Sequence, residues 1–294
     1  MAAQQFDRTA EDVGNIVAFE HVNLTVPDPW LAAQFYVNTL GLTRDPHLDL
    51  PPDLQWVNVG QQQFHLPLGD DQRLRGVVEL AVPDLAGLER RLGRMASRFD
   101  GTVFGYETVV GRDGGGDADK VLVVTGPWGN RFRCRQSAPG ARMQLGITGI
   151  DFAVPHQAAA GIGRFYAEVL GAPVTVADGS CVVDTGPDQV MRFTESADPV
   201  PDYDGHHVCV YVADFSSAHR WLLARDLIME ESNQYQYRFL WIADPGTGER
   251  IFEIEHEVRS LSHPLYGRPL VNRNPDQRVP TYVRGGDDFQ PRRA

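Results

Sequence analysis

Cysteine is scarce in this sequence, with three residues among 294, and its scarcity excludes two kinds of site. Cys134, Cys181 and Cys209 are odd in number, and no two of them have the Cys-x-x-Cys spacing. An odd count without that spacing argues against a disulfide framework and against a zinc site built from thiolates. Any chemistry in this protein is therefore expected to come from other side chains.

Positive charge is also in short supply, because 27 Lys and Arg residues stand against 39 Asp and Glu residues and leave a formal net charge of −12. Nucleic-acid binding needs clustered Lys and Arg opposite the phosphates, so we expect no nucleic-acid partner. No apolar run approaches the roughly 20 residues that span a bilayer, and the N-terminus lacks the apolar core of a signal peptide. We therefore expect a soluble cytoplasmic protein that acts on a small molecule and has no membrane partner.

What the sequence does contain is a repeated plan. Residues His21–Asp28 read HVNLTVPD and residues Val77–Asp84 read VVELAVPD, so the two segments align without a gap. A third copy opens at Gly149–Pro155 and a fourth at His207–Val212. Each opening strand is followed by an amphipathic helical pattern and then by further strands. Self-similarity of this kind predicts four βαβββ units in an α+β fold.

Two of the predicted helices share a second motif, Phe-Tyr followed by Leu-Gly, at residues 35–41 and 165–171. Four βαβββ units with these helices resemble the vicinal oxygen chelate superfamily, which includes glyoxalase I, bleomycin-resistance proteins and type I extradiol dioxygenases. The resemblance covers roughly residues 16–257. It implies that two units form a curled, half-open mixed sheet that cups a metal, with the helices on the outside.

Consecutive units are expected to pair, which gives two domains, and a chain of this length can supply each with its own core. Residues 16–138 form the expected N-terminal domain and residues 145–258 the C-terminal domain. Residues 1–15 are expected to be a flexible arm. Residues 259–294, rich in Pro, Arg and Asp, are expected to form either an irregular wrap or a disordered end.

The resemblance implies metal ligands at the start of the opening strand and within the closing strand of a unit. In the fourth unit these positions hold His207 and, by strand alternation, Glu253 or Glu255. Gly149 stands where the third unit would offer a histidine, and Asp151 two residues later is the substitute. One histidine with carboxylates suits Fe(II) first, with Mn(II), Ni(II) or Zn(II) as further candidates.

The first half of the chain offers an incomplete set. His21 and His65 occupy two of its ligand positions, whereas Val77 and Arg133 occupy the other two. An arginine repels a cation and favours an anionic ligand or an ion pair. We therefore expect His21, His65 and Arg133 to line a secondary pocket.

A catalytic tyrosine is also implied by the resemblance, since extradiol dioxygenases use a tyrosine and a histidine to orient and deprotonate a catechol. Tyr237 lies on the strand expected to face the cup. Alternation places it on one face with Tyr235 and Phe239, so core packing is an equal alternative.

Three functions stay open at this stage. The favoured one is a ring-cleaving, extradiol-like dioxygenase that uses the C-terminal domain to act on a small oxygenated or aromatic substrate. A glyoxalase-type lyase or isomerase needs the same metal without redox chemistry. The third function is a metal-free binding or resistance protein with no cofactor. It stays possible because Val77, Gly149 and Arg133 occupy positions where the resemblance implies metal ligands. Edge strands and an acidic surface permit a homodimer without requiring one.

Overall fold

The computed structural model describes residues 8–47, 54–110, 120–274 and 276–284, and four βαβββ units follow one another along them. The first comprises β1 (Ile16–Asn23), α1 (Pro29–Ala33, continued as a π-helix over Gln34–Thr39), β2 (Thr43–Arg44), β3 (Leu54–Val59) and β4 (Gln62–Pro67). The second comprises β5 (Gly76–Val82), α2 (Leu85–Met95), β6 (Gly105–Val110), β7 (Lys120–Thr125) and β8 (Arg131–Gln136). The third comprises β9 (Gly146–Val154), α3 (Ala159–Glu168), β10 (Val174–Ala177), β11 (Ser180–Asp184) and β12 (Val190–Glu195). The fourth comprises β13 (His207–Val212), α4 (Phe215–Leu223), β14 (Ile228–Asn233), β15 (Gln236–Ala243) and β16 (Arg250–Ser260).

The aspartate that follows three of the opening strands explains why a helix begins there. The carboxylates of Asp28, Asp84 and Asp214 each accept a hydrogen bond from the backbone N–H three residues later, at 2.9, 2.7 and 3.1 Å. These bonds satisfy a backbone donor that the first helical turn leaves free. The third unit has no such aspartate, and there the Glu195 carboxylate accepts from Ala159 N–H at 3.1 Å instead.

The strands form two mixed sheets of eight strands each. The first has the order β14-β15-β16-β13-β1-β4-β3-β2, and the second has the order β10-β11-β12-β9-β5-β8-β7-β6. Opening strands meet antiparallel at the centre of each sheet, β1 with β13 and β5 with β9. The α+β class and the two curled sheets agree with the sequence-based expectation.

The pairing of units differs from the expected one, because the first unit shares a sheet with the fourth and the second with the third. The expectation that consecutive units share a cup is wrong, and a division at residues 138–145 does not separate the sheets. Consecutive units are instead joined through their helical cores. The ring of Tyr36 packs on Phe64 of its own unit and on Phe132 of the second unit, at 5.1 and 6.1 Å between centroids.

The two chain ends are held to this body where the structure describes them. Asn15 N–H donates to Gly171 O at 3.0 Å and its amide donates to Leu170 O at 2.8 Å, so the expected flexible arm is anchored at its last residue. Residues 1–7 lie outside the described ranges. Residues 261–274 and 276–284 form an irregular wrap with one 3₁₀ turn at Val279–Thr281, and residues 275 and 285–294 of the expected tail lie outside the described ranges. No helix in the described ranges is long and apolar enough to cross a membrane.

A glycine in the β3–β4 turn offers a test of how the units meet. Gly60 has φ +64°, and a Cβ built there would lie 1.9 Å from Leu145 O, on the segment that leads into β9. Gly60→Ala should therefore destabilise the protein by about 2–4 kcal/mol, through backbone strain and overpacking. Gly248 is the matched control, because its φ is +74° and a Cβ would meet nothing within 4 Å. Urea unfolding of both variants should show the smaller loss, about 1 kcal/mol, for Gly248→Ala, and equal losses would contradict the close contact at Leu145.

Candidate metal centre

The concave face of the first sheet brings together residues from the first and fourth units. In β13, His207, Cys209 and Tyr211 alternate with the valines that pack into the core. The register of β1 with β13 sets His21 opposite Cys209, and the parallel register of β13 with β16 sets His207 opposite Glu255. Because alternate residues of a strand share a face, these side chains enter one cup.

Three histidines lie in a row across this cup. The Nε2 atoms of His21 and His207 face each other at 3.4 Å. The ring of His65 stacks on His21 at 3.7 Å between centroids, and on its other side it stacks on Trp56 at 3.9 Å. His21 is fully buried, and His65 and His207 are nearly so. The first-unit histidines thus lie in one cluster with His207 instead of in a pocket of their own.

Three carboxylates approach the histidines from two strands, β1 and β16. Glu257 Oε2 lies 3.7 Å from His207 Nε2, and Glu255 Oε1 lies 3.5 Å from His207 Nδ1. Glu20 Oε2 contacts His21 Nδ1 directly. Ligand atoms of His21, Cys209 and Glu257 all lie within 4.8 Å of one another.

Two arginines hold the carboxylates. Arg238 bridges Glu255 Oε1 and Glu257 Oε2 at 2.7 and 2.5 Å. Arg259 Nη2 lies 2.6 Å from Glu257 Oε1, and its Nη1 lies 3.4 Å from Glu20 Oε2. Both oxygens of Glu257 are therefore in ion pairs, and a cation that takes Glu257 as a ligand has to displace Arg238 from Oε2.

Burial sets the protonation of the histidines. Desolvation lowers the pKa of His21 and of His65 well below the usual value for histidine, and it lowers the pKa of His207 to about 3, with Arg238 and Arg259 acting in the same direction. All three rings are therefore neutral at pH 7, which is the form that binds metals. Burial also raises the pKa of the Cys209 thiol, which keeps that thiol protonated.

The two facing histidines each place Nδ1 next to a carboxylate. His21 Nδ1 meets Glu20, and His207 Nδ1 lies 3.5 Å from Glu255 Oε1. A proton held on each Nδ1 leaves the Nε2 lone pair for a metal, and the two Nε2 atoms lie 3.4 Å apart. Two nitrogens bound at about 2.1 Å to one ion lie about 3.4 Å apart in tetrahedral and about 3.0 Å apart in octahedral coordination, so the spacing of the pair is close to what a divalent metal requires.

Two of the expected site residues, Asp151 and Arg133, lie on the second sheet and not in the cup of the first. Asp151 Oδ1 accepts from Thr194 at 2.8 Å, and its Oδ2 lies 3.5 Å from Arg133 Nη1. Arg133 also pairs with Glu79 at 2.6 Å. Because the second and third units share this sheet, Asp151 does not reach His207, and the expected metal ligand is a partner in an ion pair. Arg133 likewise does not join His21 and His65.

Two expected residues of the fourth unit also fall outside the cluster. Tyr237 is buried, and its ring packs on Phe215 of α4 at 5.0 Å, so it faces the helix side of the sheet and not the cup. Core packing, the alternative that the sequence left open, is what the structure shows. Glu253 lies opposite Trp241, one alternation beyond Glu255 and further from His207. Four residues of the cluster were not predicted from the sequence: Glu20, Glu257, Arg238 and Arg259. The alternation of charged and apolar residues over 253–259 is the one sequence signal that could have identified Glu257 and Arg259.

Solved structures of other proteins share this fold. Glyoxalase I from Zea mays matches with a TM-score of 0.59 at 16% sequence identity, over 83% of this chain and 92% of that chain. A protein from Bacillus subtilis subsp. subtilis str. 168, provisionally described as a dioxygenase, matches with a TM-score of 0.56 at 12% identity, over 94% of this chain and 92% of that chain. No protein-family model matches the sequence, and no curated protein matches it either. At these identities the likeness establishes the fold alone.

Proposed function

We propose that this chain, whose fold is that of the vicinal oxygen chelate superfamily, is a divalent-metal-dependent enzyme with its metal centre in the cup of the first sheet. His21, His207 and Glu257 are the proposed ligands. The observation that carries the proposal is the pair of facing Nε2 atoms at 3.4 Å, each on a ring whose Nδ1 meets a carboxylate. A carboxylate behind a ligating imidazole fixes its tautomer and orientation.

Residues around the three ligands have separable tasks. The chemistry supplied by a bound divalent ion is polarisation of two neighbouring oxygens of the substrate, which lowers the pKa of a hydroxyl. Glu20 orients His21, and the stacked rings of His65 and Trp56 exclude water from one side of it. The Arg238 side chain, 23% exposed, borders the cup and keeps Glu255 and Glu257 in place.

Two histidines with one carboxylate are typical of Fe(II) oxygenases that keep open coordination positions. We therefore place Fe(II) first, before Mn(II), Ni(II) or Zn(II), and favour an extradiol-like dioxygenase acting on a small oxygenated or aromatic substrate. A glyoxalase-type lyase is the second candidate, supported by the fold match to glyoxalase I. A metal-free binding protein is the third, supported by the two arginines that already hold Glu257.

Metal content decides between the enzyme and the binding protein. We expect about one equivalent of metal in protein purified without chelators, and its loss in His21→Ala and in His207→Ala. His219→Ala is the control, because His219 lies on α4 against Glu231, outside the cup. Absence of metal, together with no stabilisation by added Fe(II), Mn(II) or Ni(II), would contradict the proposal.

Oxygen uptake separates the two enzyme candidates. With the metal restored anaerobically, a dioxygenase should consume one O2 for each molecule of a catechol substrate and show no turnover without O2. A lyase should convert a hemithioacetal at the same rate with and without O2. Turnover that does not depend on O2 would assign the site to the lyase.

The cellular setting is also a proposal. Cys134, Cys181 and Cys209 are all free and buried, which suits a reducing compartment. Burial raises the pKa of Cys181 to about 11 and of Cys134 to about 12, so neither thiol is poised to react. We propose a cytoplasmic location and a small-molecule substrate as the partner.

A further inference from the structure

A cavity of about 250 Å³ lies between the C-terminal wrap and the first sheet. The wrap contributes Leu265, Tyr266, Gly267, Arg268 and Leu270 to its walls. The sheet contributes residues 18–20 of β1, residues 61–63 at the β3–β4 turn, and Tyr211 of β13. None of the three proposed metal ligands lines it, so this cavity is a second space beside the metal centre.

The wrap is fixed in place by a buried ion pair. Arg268 is nearly inaccessible and contacts both carboxylate oxygens of Asp45, one of them at 3.2 Å. Its Nη1 also donates to His47 Nδ1 at 2.8 Å, and Val279 N–H donates to His47 O at 3.1 Å. Since a buried charge needs a partner, this pair holds the wrap against the sheet and the cavity is part of the fold.

Glu20 brings a negative charge to the cavity wall, and one of its two carboxylate oxygens is not used by His21 or Arg259. Glu20 uses Oε2 for both His21 and Arg259, which leaves Oε1 without either contact. Arg268, the cation in the wall, is engaged by Asp45. A ligand that donates a hydrogen bond to Glu20 is therefore favoured, whereas an anionic ligand meets a carboxylate with no free cation to offset it.

Apart from the glutamines at 61–63, the walls include aromatic and aliphatic side chains, which suit a flat ring. The rings of Tyr211 and Tyr266 lie 4.8 Å apart at 58°, and Ala18, Leu265 and Leu270 add apolar surface. A cavity of roughly 150 Å³ is enough to hold benzene, so this larger one accommodates a ring with one or two substituents. We propose that the cavity is a binding site for a small uncharged ring compound of the phenol type, which donates its hydroxyl to Glu20. The site goes beyond the proposed function, because it needs no metal.

Binding should be measured on the full chain after metal removal with a chelator. Phenol, benzoate and cyclohexanol are the probes, and ligand-observed NMR gives their dissociation constants. We expect phenol to bind at least tenfold more tightly than benzoate, and more tightly than cyclohexanol. Intermolecular contacts from the phenol ring to Tyr211 and Tyr266 locate the site without any mutation. Equal or tighter binding of benzoate, or contacts elsewhere on the protein, overturns the proposal.

Two variants test the same cavity from opposite directions. Ala18→Leu fills it and Tyr266→Ala removes one wall, and each should weaken phenol binding at least tenfold. Ala167→Leu, at an exposed position of α3, is the matched control and should bind as the wild type does. Thermal melting confirms folding of each variant. Unchanged phenol affinity in a folded Ala18→Leu protein contradicts the site, and that failure leaves the metal proposal untouched because no metal is present.

Discussion

Arg259→Met should destabilise this protein by about 3–5 kcal/mol, since removing one partner of a buried ion pair leaves an uncompensated charge. The Arg259 side chain is 6% exposed and contacts Glu20, Glu257 and Gln236. Methionine fills most of the space but leaves Glu20 without its arginine, and it leaves Glu257 with Arg238 as its one remaining arginine. Urea unfolding at pH 7 measures the loss.

Arg164→Met is the matched control. Arg164 pairs with Asp244, but its side chain is 52% exposed, and exposed ion pairs contribute about 1 kcal/mol or less. Adding Glu20→Gln to Arg259→Met should restore at least 1 kcal/mol of the free energy of unfolding, because it removes the carboxylate charge that has lost its arginine. A loss in Arg259→Met no larger than in the control would show that the buried carboxylates do not depend on Arg259.

The same variant also tests the proposed metal centre, because metal affinity can be measured separately from folding. Arg259 fixes Glu20, which orients His21, and it fixes Glu257, a proposed ligand. Losing the support behind a metal ligand lowers affinity about 10–100-fold. We therefore expect weaker metal binding in folded Arg259→Met at low temperature, with wild-type affinity in Arg164→Met.

The local features of the fold could be predicted from the sequence because they depend on neighbours in the chain. Alternation marks the opening strands, and the Asp at positions 28, 84 and 214 begins a helix through a bond to an N–H three residues later. These are short-range interactions. Four units in the expected order follow from them.

The partner of each opening strand could not be predicted in this way. All four opening strands carry similar apolar faces, so the local pattern does not distinguish which two will pair. His21 meets His207 across 186 positions of the chain, and the meeting depends on sheet order. If consecutive units had paired, His21 and His65 would have lain in one pocket and His207 in another. The observed pairing joins them and supplies the second histidine that the fourth unit lacked.

The sequence alone also could not show which glutamates of β16 lie next to His207. Residues 253, 255 and 257 share one face, and only the register with β13 determines that Glu255 and Glu257 lie next to His207. Tyr237 shows the same limit, since alternation grouped it correctly with Phe239 but did not reveal that this face meets the helices.

Loss of stability in mild acid is the second large effect that we expect, with a chelator present so that no metal holds the histidines. Burial lowers the pKa of His207 to about 3 and the pKa values of His256 and His263 to about 4. An unfolded histidine titrates near pH 6.5, so below that pH the unfolded chain binds more protons than the folded one. The stabilisation is therefore complete above pH 6.5 and is lost as the pH falls toward 4.

Three such groups remove about 4 kcal/mol for each pH unit once the pH is well below 6.5, or about 5 kcal/mol between pH 6.5 and 5, which is comparable to the whole stability of a marginal domain. Glu255, whose pKa burial raises, takes up a proton in the folded state and opposes this loss, but it is one group against several. Urea unfolding at pH 7, 6 and 5 measures the slope. His256→Gln, whose amide can replace the bonds to Tyr166 and Ile254, should reduce that slope by about 1.4 kcal/mol per pH unit. A flat profile in the wild type would mean that the folded protein accommodates charged histidines, and the neutral rings required for a metal site would then lack support.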